Sequence, residues 1–290
     1  MIISPRHAFV FVHIPKCAGT SVRTQIVKCD PDHIAMGEVG THPVLGQIDF
    51  GHVPLRLLRQ HFPQEYSSLE RFTSYAVVRD PLERFGSSLR QMLWRYHQRP
   101  MTLIPPDELQ TLTLAILKDV ASELDNPSNQ FIFFARQRDF IFDGDRCMVD
   151  HLIPMSLVPD FIAHIGRITD TPMEAGTRSN QNVELRFKRL GGIAYRMNDL
   201  LRRTLPLDLH ARIKDGALRV LSARKSAAEA SGILDMPEVR AFVERHYAED
   251  ARIYREVMSG ADSLRTALQT DSLTTSSPKI AAQPVGSESA

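Results

Sequence analysis

Seven residues near the start, Ala8 to Ile14 (AFVFVHI), are apolar apart from His13 and rich in β-branched and aromatic side chains, which predicts a buried strand. Residues 15–20 then form a loop containing Gly19, and SVRTQIVK at 21–28 can open a helix. A second β-rich run, TSYAVVR, occupies 73–79. Asp80-Pro81-Leu82-Glu83 follows it as a helix start, with Asp at the N-cap, Pro at the first helical position and Glu completing a capping box. The spacing beyond it places Phe85, Leu89, Met92, Leu93 and Tyr96 on one buried face. Further helices are predicted over 107–124, 193–203, 208–224 and 237–258, with a short strand over 149–153 and a helix near 157–165. From Ser259 the periodic apolar positions stop and Ser, Thr, Ala, Gln and Pro dominate. That predicts a disordered tail over 259–290 behind one domain at 1–258. Strands alternate with helices early and helices dominate later. The pattern predicts an α/β fold with a small central parallel sheet flanked by helices and a helix-rich C-terminal half.

Composition narrows the function classes. Hydrophobic residues make up 43% and charged residues 24% of 290, which excludes a wholly disordered or collagen-like chain. Lys plus Arg total 35 against 34 Asp plus Glu, a net +1 that argues against a dedicated nucleic-acid binder but leaves room for a local basic pocket. The three cysteines, Cys17, Cys29 and Cys147, make no C-x-x-C pair and no disulfide framework, so neither a zinc ribbon nor a redox dithiol is expected. The N-terminal apolar stretch is far short of the ~20 residues a membrane helix needs and lacks a signal-peptide cleavage pattern. The expectation is a soluble protein of a reducing, cytoplasmic compartment.

Two loops carry candidate chemistry. The first, His13-Ile-Pro-Lys-Cys-Ala-Gly-Thr-Ser21, joins strand to helix. Unpaired amides and the dipole at a helix N-terminus attract anions, Gly19 lets the backbone curl, Lys16 adds a charge, and Thr20 and Ser21 add hydroxyls. No G-x-x-x-x-G-K-[ST] is present, and the same residues also suit an ordinary capped turn. In the second, Val77-Val-Arg-Asp-Pro-Leu-Glu-Arg-Phe-Gly-Ser-Ser88, Arg79 ends a strand where the crevice of an open α/β sheet lies. Its planar fork suits a phosphate monoester or a structural pairing with Asp80 or Glu83, and Ser87 and Ser88 come about two turns into the next helix.

Together PKCAGTS and VRDPLERFGSS, about 60 residues apart, resemble the sulfotransferase superfamily that uses 3′-phosphoadenosine 5′-phosphosulfate. The H-I-P-K-x-A-G-T-S form resembles its carbohydrate branch, which includes the heparan 2-O-sulfotransferase and bacterial relatives. A weaker likeness runs through Gly51-His52-Val53-Pro54, Asn126 to Gln130 and the Tyr247…Asp250…Tyr254 helix. The resemblance implies a P-loop-like three-layer fold and assigns roles. Lys16 would meet the bridging oxygen between phosphate and sulfuryl group. The amides of Cys17, Ala18, Gly19 and Thr20, with the Thr20 and Ser21 hydroxyls, would hold the 5′-phosphate. Arg79 and Ser87 would hold the 3′-phosphate. His52 would be the base, with His13 as the second candidate, and Cys17 stands where relatives usually carry Thr. The acceptor implied is a hydroxyl of a carbohydrate or glycolipid, the product adenosine 3′,5′-bisphosphate, and no metal is expected.

Two other readings compete. Cys17-Ala-Gly-Thr-Ser-Val-Arg23-Thr24 fits C-x₅-R-[ST], the loop of cysteine-dependent phosphatases, in which a thiolate attacks phosphorus and the Arg clamps its oxygens. A non-catalytic nucleotide-binding protein would keep the anion loops without needing Lys16 or His52.

Overall fold

Phe9–Val12 is a run of four apolar residues with every side chain buried, a pattern suited to a strand covered on both faces. In the computed structural model, which describes residues 1–173, 184–185, 222–223 and 232–273, this segment is β2. It pairs in parallel with β6 (Thr73–Val78), from Phe9↔Thr73 to Val12↔Ala76. β6 pairs in parallel with β9 (His151–Pro154), from Tyr75↔His151 to Val78↔Pro154. These are the three expected strands. Two short strands extend the sheet beyond β2, where none is predicted: β1 (Ile2–Ser4) runs antiparallel to β2, and β3 (Ile34–Ala35) antiparallel to β1. The order is β3-β1-β2-β6-β9, so the sheet is mixed around a parallel centre.

Helices flank it. α1 (Gly19–Ile26) follows β2 and starts two residues earlier than expected. Between 29 and 72, where the pattern predicts no element, lie the hairpin β4 (Val39–His42) and β5 (Gly46–Asp49), a 3-10 turn at Phe50–His52, α2 (Leu55–His61) and α3 (Pro63–Arg71). α4 (Pro81–Tyr96) begins as its sequence requires, with the Asp80 carboxylate accepting from the Glu83 amide at 3.0 Å. The reciprocal half of the box is missing, because the Glu83 carboxylate turns to Arg79. α5 (Pro106–Glu123), the short pair β7 (Phe142–Asp143) and β8 (Arg146–Cys147), and α6 (Val158–Ile168) complete the first part. Phe161 of α6 covers the sheet by stacking on Phe11 and lying 5.1 Å from the Tyr75 ring.

The C-terminal half is helical where described: α7 (Pro237–His246), α8 (Ala248–Ser259) and α9 (Ala261–Gln269). One helix is expected over 237–258, but Tyr247 leaves helical geometry at φ −119° and ψ 26° to give its hydroxyl to the Phe134 carbonyl at 2.7 Å. Phe85, Leu89, Met92 and Leu93 of α4 pack with Ile116 and Val120 of α5 and with Val239 and Phe242 of α7 in a second core beside the sheet. Tyr96 departs from its expected place on that face. It sits on the last turn, past the core, and is 37% exposed.

The expected tail begins too early. α9 continues the fold past residue 258 because Leu268 is fully buried, and Asp271 accepts from His164 Nδ1 at 2.7 Å and pairs with Arg167. The rest of the tail, 274–290, lies outside the described residues, as does the helix expected at 193–203. The helix expected at 208–224 lies outside them too, except Ser222–Ala223, which are extended and paired with Glu184–Leu185.

One buried ion pair ties the two halves together. Asp250 of α8 accepts from the amides of Gln137 (2.8 Å) and Arg138 (2.9 Å) and lies 3.6 Å from the Arg84 guanidinium of α4, both side chains being sealed from solvent. Removing one partner of such a pair strands the other charge at a cost of about 3–5 kcal/mol. Urea denaturation of Asp250→Ala should show a loss of that size, and a loss under about 1 kcal/mol would remove this pair from the account of the fold.

Candidate functional site

β2 and β6 are parallel neighbours, so the loops that follow them leave the same edge of the sheet and meet there. In the first loop Lys16 (φ 64°) and Ala18 (φ 57°) both adopt the left-handed region. Each costs a non-glycine residue of order 1 kcal/mol, and alternation of this kind turns successive amides into an anion-holding concavity. The curl therefore falls on Lys16 and Ala18 rather than on Gly19. Gly19 is required for another reason: a Cβ there would lie 1.8 Å from Cδ2 of the His13 ring. Ala18 caps α1 without a side-chain acceptor, and the first turn carries no acidic residue. The opening amides of α1 thus have no intrahelical partner and no capping group. The Thr20 and Ser21 hydroxyls make no hydrogen bond among the described residues.

Cations crowd beside this concavity. Lys16 is half-buried and gives a long bond, 3.4 Å, to Gln91 of α4. Burial, followed by the neighbouring Arg90 and Arg79 charges, holds its ammonium down at about 8. Arg79 reaches the Lys16 carbonyl at 3.4 Å, and its only carboxylate partner among the described residues is the exposed Glu83. Ser87 lies one turn beyond Glu83 on α4 and is half-buried, with no hydrogen bond among the described residues. Ser88 instead faces inward, donating to the Phe133 carbonyl at 2.6 Å.

Two histidines stand near Lys16. His52 ends the 3-10 turn that Asp49 caps, and its ring lies 4.3 Å from that of His13. His52 Nδ1 is 3.1 Å from the His13 carbonyl. A carbonyl only accepts, so Nδ1 carries the proton and Nε2 keeps its lone pair. Burial, partly opposed by Asp49, lowers His52 to about 4, and burial together with His52 lowers His13 well below the ordinary histidine range. Phe133 neighbours both groups, its ring centroid 5.9 Å from Lys16 Nζ and 5.9 Å from the His52 ring.

Sequence reasoning missed the residue that joins the loops. Gln137 is buried; its Oε1 accepts from the Arg79 amide (2.9 Å) and the Cys17 thiol (3.3 Å), while its Nε2 donates to the Arg79 carbonyl (2.8 Å). The only advance signal lay in charges set among apolar residues, Arg84 on the buried face of α4 and Asp250 between Tyr247 and Ile253. Arg90, Gln91 and Phe133 gave none.

The geometry counts against thiolate chemistry. Cys17 is 1% exposed, and burial pushes its thiol up to about 12. Arg23, which would have to clamp the same anion, turns instead to the Gly37 carbonyl. Both requirements of the C-x₅-R reading therefore fail.

Comparison with protein families gives one match: the model described as Sulfotransferase family covers residues 1–158, a stretch that contains both loops, His52 and Gln137. No curated protein and no solved structure matches the chain.

The state of Cys17 is open to direct measurement. In the folded protein at pH 8, iodoacetamide should leave Cys17 unmodified over a time that fully labels the urea-unfolded chain. Peptide mapping that finds Cys17 labelled at the rate of a free thiol would contradict the buried, protonated state.

Proposed function

The chain belongs to the sulfotransferase family, and from that premise we propose that it moves a sulfuryl group from 3′-phosphoadenosine 5′-phosphosulfate to a hydroxyl of a carbohydrate or glycolipid. The observation that carries the reading is the junction of two anion-suited loops through Gln137, with Lys16 and a histidine lone pair beside it. The donor chemistry fits what is present. Amides without intrahelical partners, three unbonded hydroxyls and a crowd of cations together ask for a multiply charged anion.

When bound, the donor supplies an activated sulfuryl group on a phosphate leaving group. The amides from Cys17 to Thr20 and the hydroxyls of Thr20 and Ser21 hold its 5′-phosphate. Arg79 and Ser87 hold the 3′-phosphate. Lys16 meets the negative charge that grows on the phosphate oxygen as the S–O bond breaks. His52 Nε2 takes the proton from the acceptor hydroxyl as the new O–S bond forms, and Nδ1 keeps its own proton on the His13 carbonyl. A histidine lowered to about 4 is already neutral at working pH, so no fraction of the enzyme waits to lose a proton. Three free cysteines suit a cytoplasmic setting, and no described helix is long and apolar enough to cross a membrane.

Adenosine 3′,5′-bisphosphate should bind and AMP much less well. Arg79→Ala should weaken the bisphosphate by about 2–3 kcal/mol and Ser87→Ala by about 1 kcal/mol, with AMP little changed, all by titration calorimetry. Equal losses for both nucleotides would sink the 3′-phosphate assignment. Binding of the bisphosphate with no turnover on any hydroxyl acceptor would make the protein a non-catalytic nucleotide binder.

The base has its own signature. His52→Ala should lower kcat by ~10²–10⁴ with bisphosphate affinity unchanged. The wild-type rate should hold from neutrality downward and fall only as His52 protonates near pH 4, and the mutant profile should lack that limb. Near-normal turnover in His52→Ala would move the base elsewhere, with His13 tested next.

A further inference from the structure

Next to His52 the surface opens into space that the donor loops do not line. A small pocket of about 40 Å³ is bounded by His52, Asp49 and Asn129. Pro54, Leu57, Pro127 and Ile132 line both this pocket and an adjoining larger cavity of about 330 Å³, which is within the size range of small-molecule sites. Neither Lys16, Arg79 nor Ser87 lines either space.

The lining is balanced in charge. Arg59 is taken by Asp143 at 3.0 Å, and Asp125 by Arg136 at 2.7 Å. Arg138 donates to the Gly144 carbonyl at 2.9 Å and stacks on Phe142. Three groups are left with unused capacity toward a ligand. Arg56 is exposed and among the described residues makes only a long bond, 3.4 Å, to Asn126. Asp139 is half-buried in the cavity wall, and burial pushes its carboxyl up to about 6. Asn129 Oδ1, in the pocket that His52 shares, is buried and has no hydrogen-bond partner, an uncommon state for a native polar atom.

An acidic polymer would call for more cations than carboxylates, and here the three arginines, Arg56, Arg59 and Arg138, are matched by three carboxylates, Asp125, Asp139 and Asp143. A sugar ring asks for what is here: an apolar platform for its C–H face, and donors and acceptors side by side, because every hydroxyl is both. We propose that the cavity together with the adjoining pocket holds an uncharged sugar ring of the acceptor, with Arg56 on the cavity side donating to one hydroxyl and Asn129 Oδ1 on the pocket side accepting from another beside the hydroxyl that His52 deprotonates. The assignment rests on the sulfotransfer reading and deepens it, naming a neutral glycan end rather than a uronic-acid polymer or a phenol.

The test uses the full chain with 3′-phosphoadenosine 5′-phosphosulfate and three acceptor classes: methyl hexopyranosides with maltose, a hexuronate oligosaccharide, and 4-nitrophenol. Sulfation of the neutral sugars, with a KM that barely moves between low and physiological salt, is the expected result. Arg56→Ala and Asn129→Ala should each raise that KM ~10-fold with kcat little changed. Calorimetry on the same variants should give an unaltered affinity for adenosine 3′,5′-bisphosphate, which also shows that they are folded. Preference for the hexuronate with a steeply salt-dependent KM, preference for the phenol, or an unchanged KM in both variants would each overturn the assignment. If the wild type binds the bisphosphate but sulfates no neutral sugar, this inference alone falls. If it does not bind the bisphosphate, the sulfotransfer reading falls with it.

Discussion

The Gln137 carboxamide is the contact on which the site depends. A buried amide with an unmet donor or acceptor costs roughly 1–3 kcal/mol, so Gln137 holds its partners in place as firmly as they hold it. Those partners are Cys17 on the loop after β2 and both backbone groups of Arg79 on the loop after β6. Parallel pairing of β2 and β6 brings the loops to one edge of the sheet, but only to within the freedom that loops ordinarily have. The carboxamide removes that freedom. Its own backbone is fixed in turn by Asp250, whose charge is met by Arg84. The anion-suited loops are therefore the outer end of a polar chain that runs through the interior to α8.

Burial also sets the chemistry of both candidate catalytic groups, and in the same direction. It makes the charged form of Lys16 and of His52 harder to keep. For His52 the result is a base free of its proton at neutral pH. For Lys16 it is an ammonium that holds its charge less securely as pH rises through about 8, next to two guanidinium groups that an incoming anion would relieve. The strained left-handed turns at Lys16 and Ala18 belong to the same arrangement: between them the Cys17 amide makes only a long bond, 3.4 Å, to the Ile14 carbonyl, and beyond them the opening amides of α1 have no intrahelical partner.

What was legible in the sequence was local. β2, β6 and the start of α4 could be read because an unbroken apolar run and an Asp-Pro-x-Glu start act over a few residues. The loops were legible for the same reason, as a strand end, a helix start and the residues between. Non-local structure was not. β1 and β3 are three and two residues long and form strands only because a neighbour offers an edge, β2 to β1 and β1 in turn to β3. The break at Tyr247 exists to satisfy a carbonyl 113 residues away, and Gln137 looks like any polar residue until two distant loops are brought to it. Gly19 shows a subtler gap. Glycine was expected for its backbone freedom, yet what it supplies is the absence of a side chain against His13. The tail misled because its polar composition hid a single helix held by the buried Leu268, by Ala261 and Leu264 against the core, and by the Asp271 contacts just past its end.

The reach of the Asp250 contact bears on how the protein is made. A chain leaving the ribosome presents β2, β6 and both loops long before α8, because Asp250 follows Gln137 by 113 residues. Until it arrives, Arg84 has no described acid to meet in the interior, and the Gln137 and Arg138 amides lack their acceptor. The sheet can form early, but the loops acquire fixed positions only once α8 docks and brings Asp250 to Gln137.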